Sequence, residues 1–387
     1  MKESQDLPKR IDYRRSRLLW RIAFNPIFPF MLLPFGKYLR GRSARFASLR
    51  LDTIPALIAL ATLVFSQVSL CGATFSLSDH PGEYLDILSD GRLIGRYMTA
   101  HDTSTPEKRS ETYKPYLHIF DPEGVAPITK GPGGLFTHHR GVFVGWKSII
   151  IGDKSFDRWH MLGGDQVHQR FLRKKADAQG ATFTSLIEWD GSNQGTESKP
   201  ILEEERTISF LPPPAPAYAE IDLSTRLKAV AGDTQLSGDP EHSGIHFRPA
   251  NEVDTNKTVY FFPKANANPH KDRDYPWLAE SFTLNRKNYS VIYLNDPANP
   301  KGTAFSAYRD YGRFGGFFKA AIPSGDTLTL HIRLLVIQGV LPPVAMIQQI
   351  YNAFAGVNDP IPALTIWPGE KFPIGEKKAA STPAAAH

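Results

Sequence analysis

Short runs of alternating apolar and polar residues, separated by Gly, Pro, Asn and Asp, fill most of the chain after residue 74. The clearest run is "DTLTLHIRLLVIQG", residues 326–339, in which every second position from 328 to 336 is apolar. A period of two places one face of a strand in a core and leaves the other face at least partly wet. The same theme recurs in "RTISFL", "AEIDLSTRLKAV", "KTVYFF" and "YSVIYL", which indicates an all-β protein.

Two further signals fix the ends of elements. Asp90-Gly91 separates two strand-like runs, "EYLDILS" and "RLIGRYM", and predicts a β-hairpin. Only "PVAMIQQIYNAFAG", residues 343–356, has the pattern of a helix, with Pro343 at its start and Gly356 at its end. We therefore predict a large antiparallel β-sandwich from about 79 to 340, followed over 341–387 by one C-terminal helix and a low-complexity, disordered tail.

The N-terminal region predicts export. Ile54–Leu70 is apolar and uncharged, and Cys71, Gly72 and Ala73 are the small residues expected at a signal-peptide cleavage site. We predict a signal peptide over 50–73, with an uncleaved membrane anchor as the alternative. The basic arm 1–49 is too long for an ordinary signal, which favours a mis-assigned start. The expected location is periplasmic or secreted, with membrane anchoring as the alternative.

Charge is unevenly distributed along the chain. The first 50 residues carry twelve Lys and Arg against three acidic residues, a net charge of +9. Since the whole chain is +6, the remainder is −3, and this argues against nucleic-acid binding by the body. The single cysteine, Cys71, lies in the predicted signal, so we expect no disulfide, catalytic thiolate or cysteine–zinc site in the mature chain.

Histidine is the chemically informative residue. Five of the twelve histidines fall within 51 residues: His118, His138, His139, His160 and His168. If the adjacent pair lies in a strand, the two side chains point to opposite faces and cannot share a metal, unless the Gly-rich "KGPGGLFT" makes the backbone irregular. The spacing of the other three fits no standard zinc motif. His242 and His246 form a further pair, on one face of an extended segment.

Other residues near these histidines have two interpretations each. Asp157 either orients an imidazole or caps a turn. Trp146 and Trp159 either stack on a sugar or lie in the core, whereas Phe143 and Phe171 are expected in the core. The chain has no dinucleotide-binding Gly motif, P-loop, Gly-x-Ser-x-Gly or His-Glu-x-x-His, so a nucleotide cofactor and serine hydrolysis are unsupported. No cofactor is predicted, and a metal ion stays open as an alternative.

Several segments together resemble a known family. They are "YKPYLHIFDPEGVAPITKGPGGLFTHHRGVFVGWKSI", "FDRWHM", "QVHQRF" and "YRDYGRFGGFFKAAIPSGDTLTLHIRLLVIQG". Over about 80–340 the chain is similar to the family of unknown function DUF6807, whose members are often labelled methane oxygenase PmoA. A methane monooxygenase subunit of that name would span the membrane several times, and the body of this chain has no such segments.

The resemblance implies a galactose-mutarotase-like β-sandwich whose bacterial, exported relatives act on or bind carbohydrate. The positions that match the family are Lys114, Tyr116, His118, His138, His139, Arg140, Trp146, Trp159 and His160. Many members have His-Pro where this chain has Phe136 and Thr137, which weakens a three-histidine metal site.

The leading hypothesis is a carbohydrate-active protein, such as an epimerase, lyase or hydrolase, that uses histidine acid/base chemistry. The candidate catalytic residues are His139, His118, Asp157, His160 and Arg140. The candidate substrate-binding residues are Lys114, Tyr116, Trp146, Trp159 and His138. Arg140 or Lys114 would stabilise negative charge on a sugar oxygen. The alternatives are a non-catalytic glycan-binding or envelope module and a histidine-ligated metal protein.

Overall fold

The computed structural model describes residues 74–191 and 199–371. The basic arm 1–49, the predicted signal 50–73 and the tail from 372 lie outside the described residues, so those predictions stay predictions. In chain order the first strands are β1 (Phe75–His80), β2 (Tyr84–Ser89), β3 (Arg92–Met98), β4 (Tyr116–Ile119), β5 (Val142–Trp146), β6 (Ser148–Ile151), β7 (Lys154–Phe156), β8 (Gln166–Asp177), β9 (Gly180–Asp190) and β10 (Pro200–Leu211).

The remaining elements follow the same theme, and both helices of the described region are short. The later strands are β11 (Ala219–Ala229), β12 (Thr234–Ser237), β13 (Ser243–Phe247), β14 (Val259–Phe262), β15 (Trp277–Leu284), β16 (Lys287–Asn295), β17 (Ala304–Ser306), β18 (Phe314–Phe317), β19 (Ala320–Ile322), β20 (Thr327–Gln338) and β21 (Thr365–Pro368). The helices are α1 (Pro106–Thr112) and α2 (Val344–Ala355).

Three sheets are formed. The first has eight strands in the order β1-β2-β3-β4-β5-β13-β18-β17, and the second has nine in the order β21-β14-β15-β16-β20-β11-β10-β9-β8. A small sheet has the order β19-β12-β6-β7. Neighbouring strands are antiparallel throughout the described residues. The predicted fold class, a large antiparallel β-sandwich with a C-terminal helix, is confirmed.

The two large sheets pack face to face over one apolar core. Side chains from both sheets, such as Val144 of β5 and Ile208 of β10, belong to the same buried cluster. The approach is close: a Cβ on Gly95 of β3 would overlap the ring of Phe210 on β10. Burial of these faces is the main favourable term in the stability of such a sandwich.

Alternation in β20 follows the prediction as far as Leu334. Beyond it, Leu335 and Ile337 on the opposite face are also buried, because α2 packs on that face with Ile347 and Tyr351. The helix has the predicted bounds: Pro343 precedes it, and Gly356 ends it in the left-handed region at φ +67°. The helix α1, capped by Thr105, was not predicted from the sequence.

The hairpin prediction is also confirmed. β2 and β3 pair on either side of Asp90 and Gly91, whose φ angles of +51° and +76° fit the tight turn that Asp-Gly favours. For function the important strand is β5, which is buried along its whole length between β4 and β13. Val142, Val144 and Trp146 face the main core, and Phe143 faces the outside of the first sheet.

Candidate active site

A turn, and not a strand, holds the adjacent histidines. Phe136 has φ +55°, and the backbone N–H of His139 donates to the carbonyl of Phe136 at 2.9 Å. The chain turns here, so β5 begins only at Val142. The rings of His138 and His139 lie 4.4 Å apart, nearly perpendicular. The expectation that strand geometry would send them to opposite faces was wrong, because the irregular backbone that the Gly-rich segment permits is present.

Asp157 both caps a turn and orients a histidine. Its Oδ1 accepts the backbone N–H groups of Trp159 and His160 at 2.9 and 2.7 Å. Its Oδ2 lies 2.7 Å from Nδ1 of His160. Burial alone would raise the pKa of Asp157, but the hydrogen bonds from His160 outweigh it and the pKa is lowered. The carboxylate is therefore ionised at neutral pH and fixes the His160 ring.

A second pair has the same design. Asp239 Oδ1 lies 2.7 Å from Nδ1 of His242 and accepts the backbone N–H of Glu241 at 3.0 Å. Burial opposes ionisation, but the hydrogen bond from His242 lowers the pKa of Asp239 well below its usual range. In both pairs the aspartate stands three residues before its histidine. A carboxylate on Nδ1 fixes ring orientation and leaves Nε2 as the other reactive nitrogen.

The two pairs face each other. The rings of His160 and His242 lie 5.1 Å apart and are tilted by 35°. His138 packs against His160 on the other side, with ring centroids 4.4 Å apart. Three imidazoles, two of them backed by carboxylates, therefore form one continuous cluster on the outer face of the first sheet.

A cavity of about 440 Å³ opens beside this cluster. Its lining residues are Phe136, His138, His139, Asp239, Pro240, Glu241, His242, Tyr308, Arg309, Tyr311 and Arg313. Its size is within the range of small-molecule sites, which is roughly 300–1,000 Å³.

One wall of the cavity is a charged network centred on Glu241. Arg309 contacts the two carboxylate oxygens at 2.5 and 3.2 Å, Arg313 contacts one at 3.3 Å, and the hydroxyl of Tyr308 donates at 3.1 Å. Burial favours the neutral acid, but the hydrogen bond from Arg309 and the charge of Arg313 lower the pKa of Glu241. Glu241 is thus an ionised, fully coordinated carboxylate.

The floor of the cavity is buried and keeps its histidines neutral. Burial, followed by the charge of Lys114, lowers the pKa of His138 to about 2. Burial and the neighbouring Arg313 lower the pKa of His139 far below its usual range. His246 lies deeper on β13, where its Nε2 donates to the carbonyl oxygen of Ser243 at 2.8 Å and its Nδ1 accepts from Arg313 at 3.3 Å. Its pKa is lowered for the same two reasons.

Of the predicted site residues, only His138 and His139 line the cavity. Asp157 and His160 lie beside it without lining it, and Arg140, His118 and Tyr116 are placed away from it. Arg140 is completely buried and donates to the carbonyls of Thr137, His139 and Ser110 at 2.5–2.9 Å. It ties the histidine turn to α1 and does not line the cavity. His118 and Tyr116 lie together on the outer face of β4, with the Tyr116 hydroxyl 3.3 Å from Nε2 of His118, and neither lines the cavity. Burial lowers the pKa of His118 to about 4.

The tryptophans are not ligand platforms. Trp146 and Trp159 are both fully buried. Trp146 shares the parity of Val142 and Val144 on β5, so it packs in the main core beside Trp189. Trp159 packs under His139, His242 and His246 and supports their rings. The interpretation of these two residues as substrate-stacking is therefore corrected to a supporting role.

Lys114 and His168 also have structural environments. Lys114 is buried, donates to the carbonyl oxygen of Trp159 at 2.7 Å, and lies 4.8 Å above the Phe143 ring. Burial and the charge of Arg140 lower its pKa well below the usual value. Lys114 thus underlies the histidine cluster without lining the cavity. His168 bonds Ser185 at 2.6 Å on β8, outside this cavity.

A metal centre receives no geometric support. Within residues 74–191 and 199–371, no group of three or more His, Cys, Asp or Glu side chains has an arrangement that could hold a metal ion. The same described region contains no helix with the length and apolar character needed to cross a membrane.

Sequence reasoning missed much of the cavity. His242 was noted only as half of a pair with His246. The lining residues not named as candidates are Phe136, Asp239, Pro240, Glu241, Tyr308, Arg309, Tyr311 and Arg313. A signal did exist: "YRDYGRF", residues 308–314, belongs to the segments that carry the family resemblance, and it supplies four cavity residues.

Residues 84–351 match the family of unknown function DUF6807, and the chain belongs to this family. No curated protein matches the chain. Three solved structures illustrate its distant similarities. A heparan sulfate lyase HepC mutant from Pedobacter heparinus is 10% identical, with a TM-score of 0.35, over 71% of this chain and 36% of the lyase.

The other two structures are equally distant. A heparinase III is 8% identical, with a TM-score of 0.29, over 73% of this chain and 39% of that protein. A 4-alpha-glucanotransferase from Thermococcus litoralis is 11% identical, with a TM-score of 0.22, over 71% and 38%. The chain thus spans little more than a third of each of these proteins. Similarities this weak assign no activity to the chain.

Proposed function

We propose that the cavity binds a sugar and that His160 and His242 transfer protons to and from it. The observation that carries this proposal is the facing arrangement of the two rings, 5.1 Å apart, each with Nδ1 held by its own aspartate. His242 lines the cavity, and His160 packs against it just outside the lining, so the two imidazoles together can remove one proton and deliver another. The aspartates orient the rings and stabilise the imidazolium that forms during transfer.

The carboxylates of the site favour this chemistry over hydrolysis by paired carboxylic acids. Such hydrolysis needs one carboxyl that stays protonated near neutral pH. Asp157, Asp239 and Glu241 all have lowered pKa values, because each accepts hydrogen bonds from cationic or N–H groups that outweigh burial. Histidines and tyrosines remain as proton donors at the cavity. Epimerisation or β-elimination therefore fits the site better than carboxyl-catalysed hydrolysis.

The wall chemistry supports a polyhydroxylated ligand. Phe136, Tyr308 and Tyr311 supply ring faces and edges, on which the C–H groups of a sugar can pack. Asp239 supplies an acceptor for hydroxyl groups, and the charged network of Glu241 and Arg309 makes the wall polar. We further propose that the protein acts outside the cytoplasm, on the support of the apolar segment Ile54–Leu70 behind a basic arm.

The test is a turnover screen with matched variants. Wild-type protein, His160→Gln, His242→Gln and the control His80→Gln are incubated with neutral sugars and uronate oligosaccharides, and products are separated by chromatography. His80 lies on β1, outside the cavity lining. We expect conversion that falls about a hundredfold or more in the His160→Gln and His242→Gln variants and stays unchanged in the control. Sugar binding without conversion by the wild type would establish the non-catalytic alternative.

A further inference from the structure

The edge strand β8 carries a concentration of positive charge that the cavity does not use. Arg170, Arg173, Lys174 and Lys175 lie within six residues and are all exposed. They stand out because the chain after residue 50 has a net charge of −3. Lys174 turns inward to pair with Asp79 of β1, and Lys175 pairs with Asp177 at the end of β8. Arg170, Arg173 and Lys175 are the three cations that stay on the outside, and Arg170 and Arg173 have no ion-pair partner among the described residues.

Two β-bulges align those three cations. The register of β8 on β9 shifts between His168 and Arg170 and again between Phe171 and Arg173. Simple alternation would send Arg170 and Arg173 to opposite faces, since they are three residues apart. With the bulges, the cations Arg170, Arg173 and Lys175 stand opposite Leu186, Thr184 and Thr182, which all point to the outer face of the second sheet. A bulge re-aims side chains in this way.

Hydroxyl groups continue the surface beside the row of cations. Thr184 bonds Thr207 at 2.9 Å, and Thr182 bonds Ser209 at 2.9 Å, so β9 and β10 present a ladder of hydroxyls. Thr184 and Thr182 are the direct neighbours of Arg173 and Lys175. The outer face thus combines guanidinium and ammonium groups with hydroxyl donors and acceptors.

We infer that this face of β8, defined by Arg170, Arg173 and Lys175 with Thr182 and Thr184, binds an anionic polysaccharide. The choice of a sugar polymer rests on the proposed function; the negative charge of the partner follows from the row of cations alone. Arginine forms paired hydrogen bonds with carboxylate or sulfate groups, and the threonines suit sugar hydroxyls.

A nucleic acid fits the face less well. Glu188 of β9 and Glu203 of β10 stand directly opposite each other on the same outer face. A phosphodiester backbone carries a charge at every nucleotide and would be repelled there. A polysaccharide presents uncharged hydroxyls between its anionic groups, which these glutamates can accept.

The test is hydrogen exchange of the full chain with and without oligogalacturonate, with dextran oligosaccharides and duplex DNA as comparison ligands. We expect slowed exchange in peptides covering 166–177 and 181–186 with oligogalacturonate only. The triple variant Arg170→Glu, Arg173→Glu, Lys175→Glu should lose this protection and bind about tenfold more weakly. The milder Arg170→Gln, Arg173→Gln variant should show the same direction of change.

A matched control carries the same change in charge elsewhere. Lys271→Glu, Lys301→Glu, Lys319→Glu alters three exposed lysines outside β8 and should retain the protection. Equal protection by DNA, or protection by oligogalacturonate that survives the β8 variants, would overturn the inference. A second result would also overturn the inference: β8 variants that self-associate but bind oligogalacturonate as tightly as the wild type. In that case the charges would serve only to prevent the edge strand from pairing with another copy of the chain. His160→Gln, which removes one histidine of the proposed catalytic pair, should leave the exchange protection intact, so the two proposals fail separately.

Discussion

Gly145 of β5 lies directly against the carbonyl of Arg158, so closely that a Cβ at this position would overlap the carbonyl oxygen. This contact determines how closely the segment with Asp157, Trp159 and His160 approaches the first sheet. Because Gly145 has no side chain, β5 can approach this segment closely, and the strand thereby positions the histidine cluster.

Gly145→Ala should consequently destabilise the protein and displace His160. Overpacking of this kind costs about 1–3 kcal/mol. Denaturant unfolding measures the loss, and the turnover assay should fall in parallel. Gly131→Ala is the matched control, because its Cβ would come no closer than 3.6 Å to His118. Equal stability of the two variants would contradict the positioning role of Gly145.

Asp157→Asn tests the orientation of His160. An asparagine can still accept the backbone N–H groups of Trp159 and His160, so the turn should survive, but the charge that holds Nδ1 is lost. We expect kcat to fall by about 10²–10⁴-fold with little change in KM, as when the carboxylate behind a catalytic histidine is neutralised. The exposed Asp153→Asn is the control. Steady-state kinetics decide the matter, and an unchanged kcat would remove Asp157 from the mechanism.

Acid should unfold the protein through its buried histidines. The pKa of His138 falls from 6.5 to about 2 on folding, and the pKa values of His139 and His246 fall in the same direction. The unfolded chain therefore binds protons first, so stability is complete above pH 6.5 and is lost as pH falls below it. Each such histidine contributes up to about 1.4 kcal/mol per pH unit.

The variant His139→Gln should reduce the slope of unfolding free energy against pH by up to one proton. Urea unfolding at several pH values between 7 and 4 measures the slope. An identical slope in the wild type and His139→Gln would show that His139 does not resist protonation in the folded state.

Glu280 should destabilise the protein at neutral pH. It is fully buried on β15, and neither carboxylate oxygen has a hydrogen-bond partner among the described residues. Burial raises its pKa well above 4.5, so its contribution to stability is present below that pH and is lost as pH rises. Glu280→Gln should therefore stabilise the fold at pH 7 by about 1–3 kcal/mol.

Glu204→Gln is the informative comparison for that substitution. Glu204 is equally buried, but it receives hydrogen bonds from Trp189, Arg206 and Thr225 at 2.7–2.8 Å. Its neutralisation breaks a buried ion pair and should destabilise by about 3–5 kcal/mol. Thermal unfolding at pH 7 measures the change in stability of both variants. A change in the same direction for both would refute the different environments assigned to the two glutamates.

The fold was predictable because its signals are local. The alternation in β20, the Asp90-Gly91 turn and the Pro343 and Gly356 limits of α2 are each properties of a short segment. The parity of Val142, Val144 and Trp146 could likewise have placed Trp146 in the core. The site was less predictable, because a turn through Phe136 at positive φ cancels the strand geometry on which the separation of His138 and His139 depended.

The rest of the site depends on long-range pairing. β13 pairs with β5 on one side and β18 on the other, and this brings the segments before β13 and β18 to the histidine turn. His242 and Arg313 are thereby placed at the same cavity as His139, although they lie 103 and 174 positions after it along the chain. No periodicity in the sequence encodes that register.

The central claim is that the facing pair of His160 and His242 moves protons on a bound sugar. Its most direct test is deuterium incorporation: the wild-type protein and the two glutamine variants are incubated with sugars in D₂O, and the C–H positions are followed by NMR. We expect the wild type to incorporate deuterium at one carbon of the sugar, and both His160→Gln and His242→Gln to lose this incorporation. Incorporation that persists in both variants, or its absence with every sugar that binds, would contradict the claim.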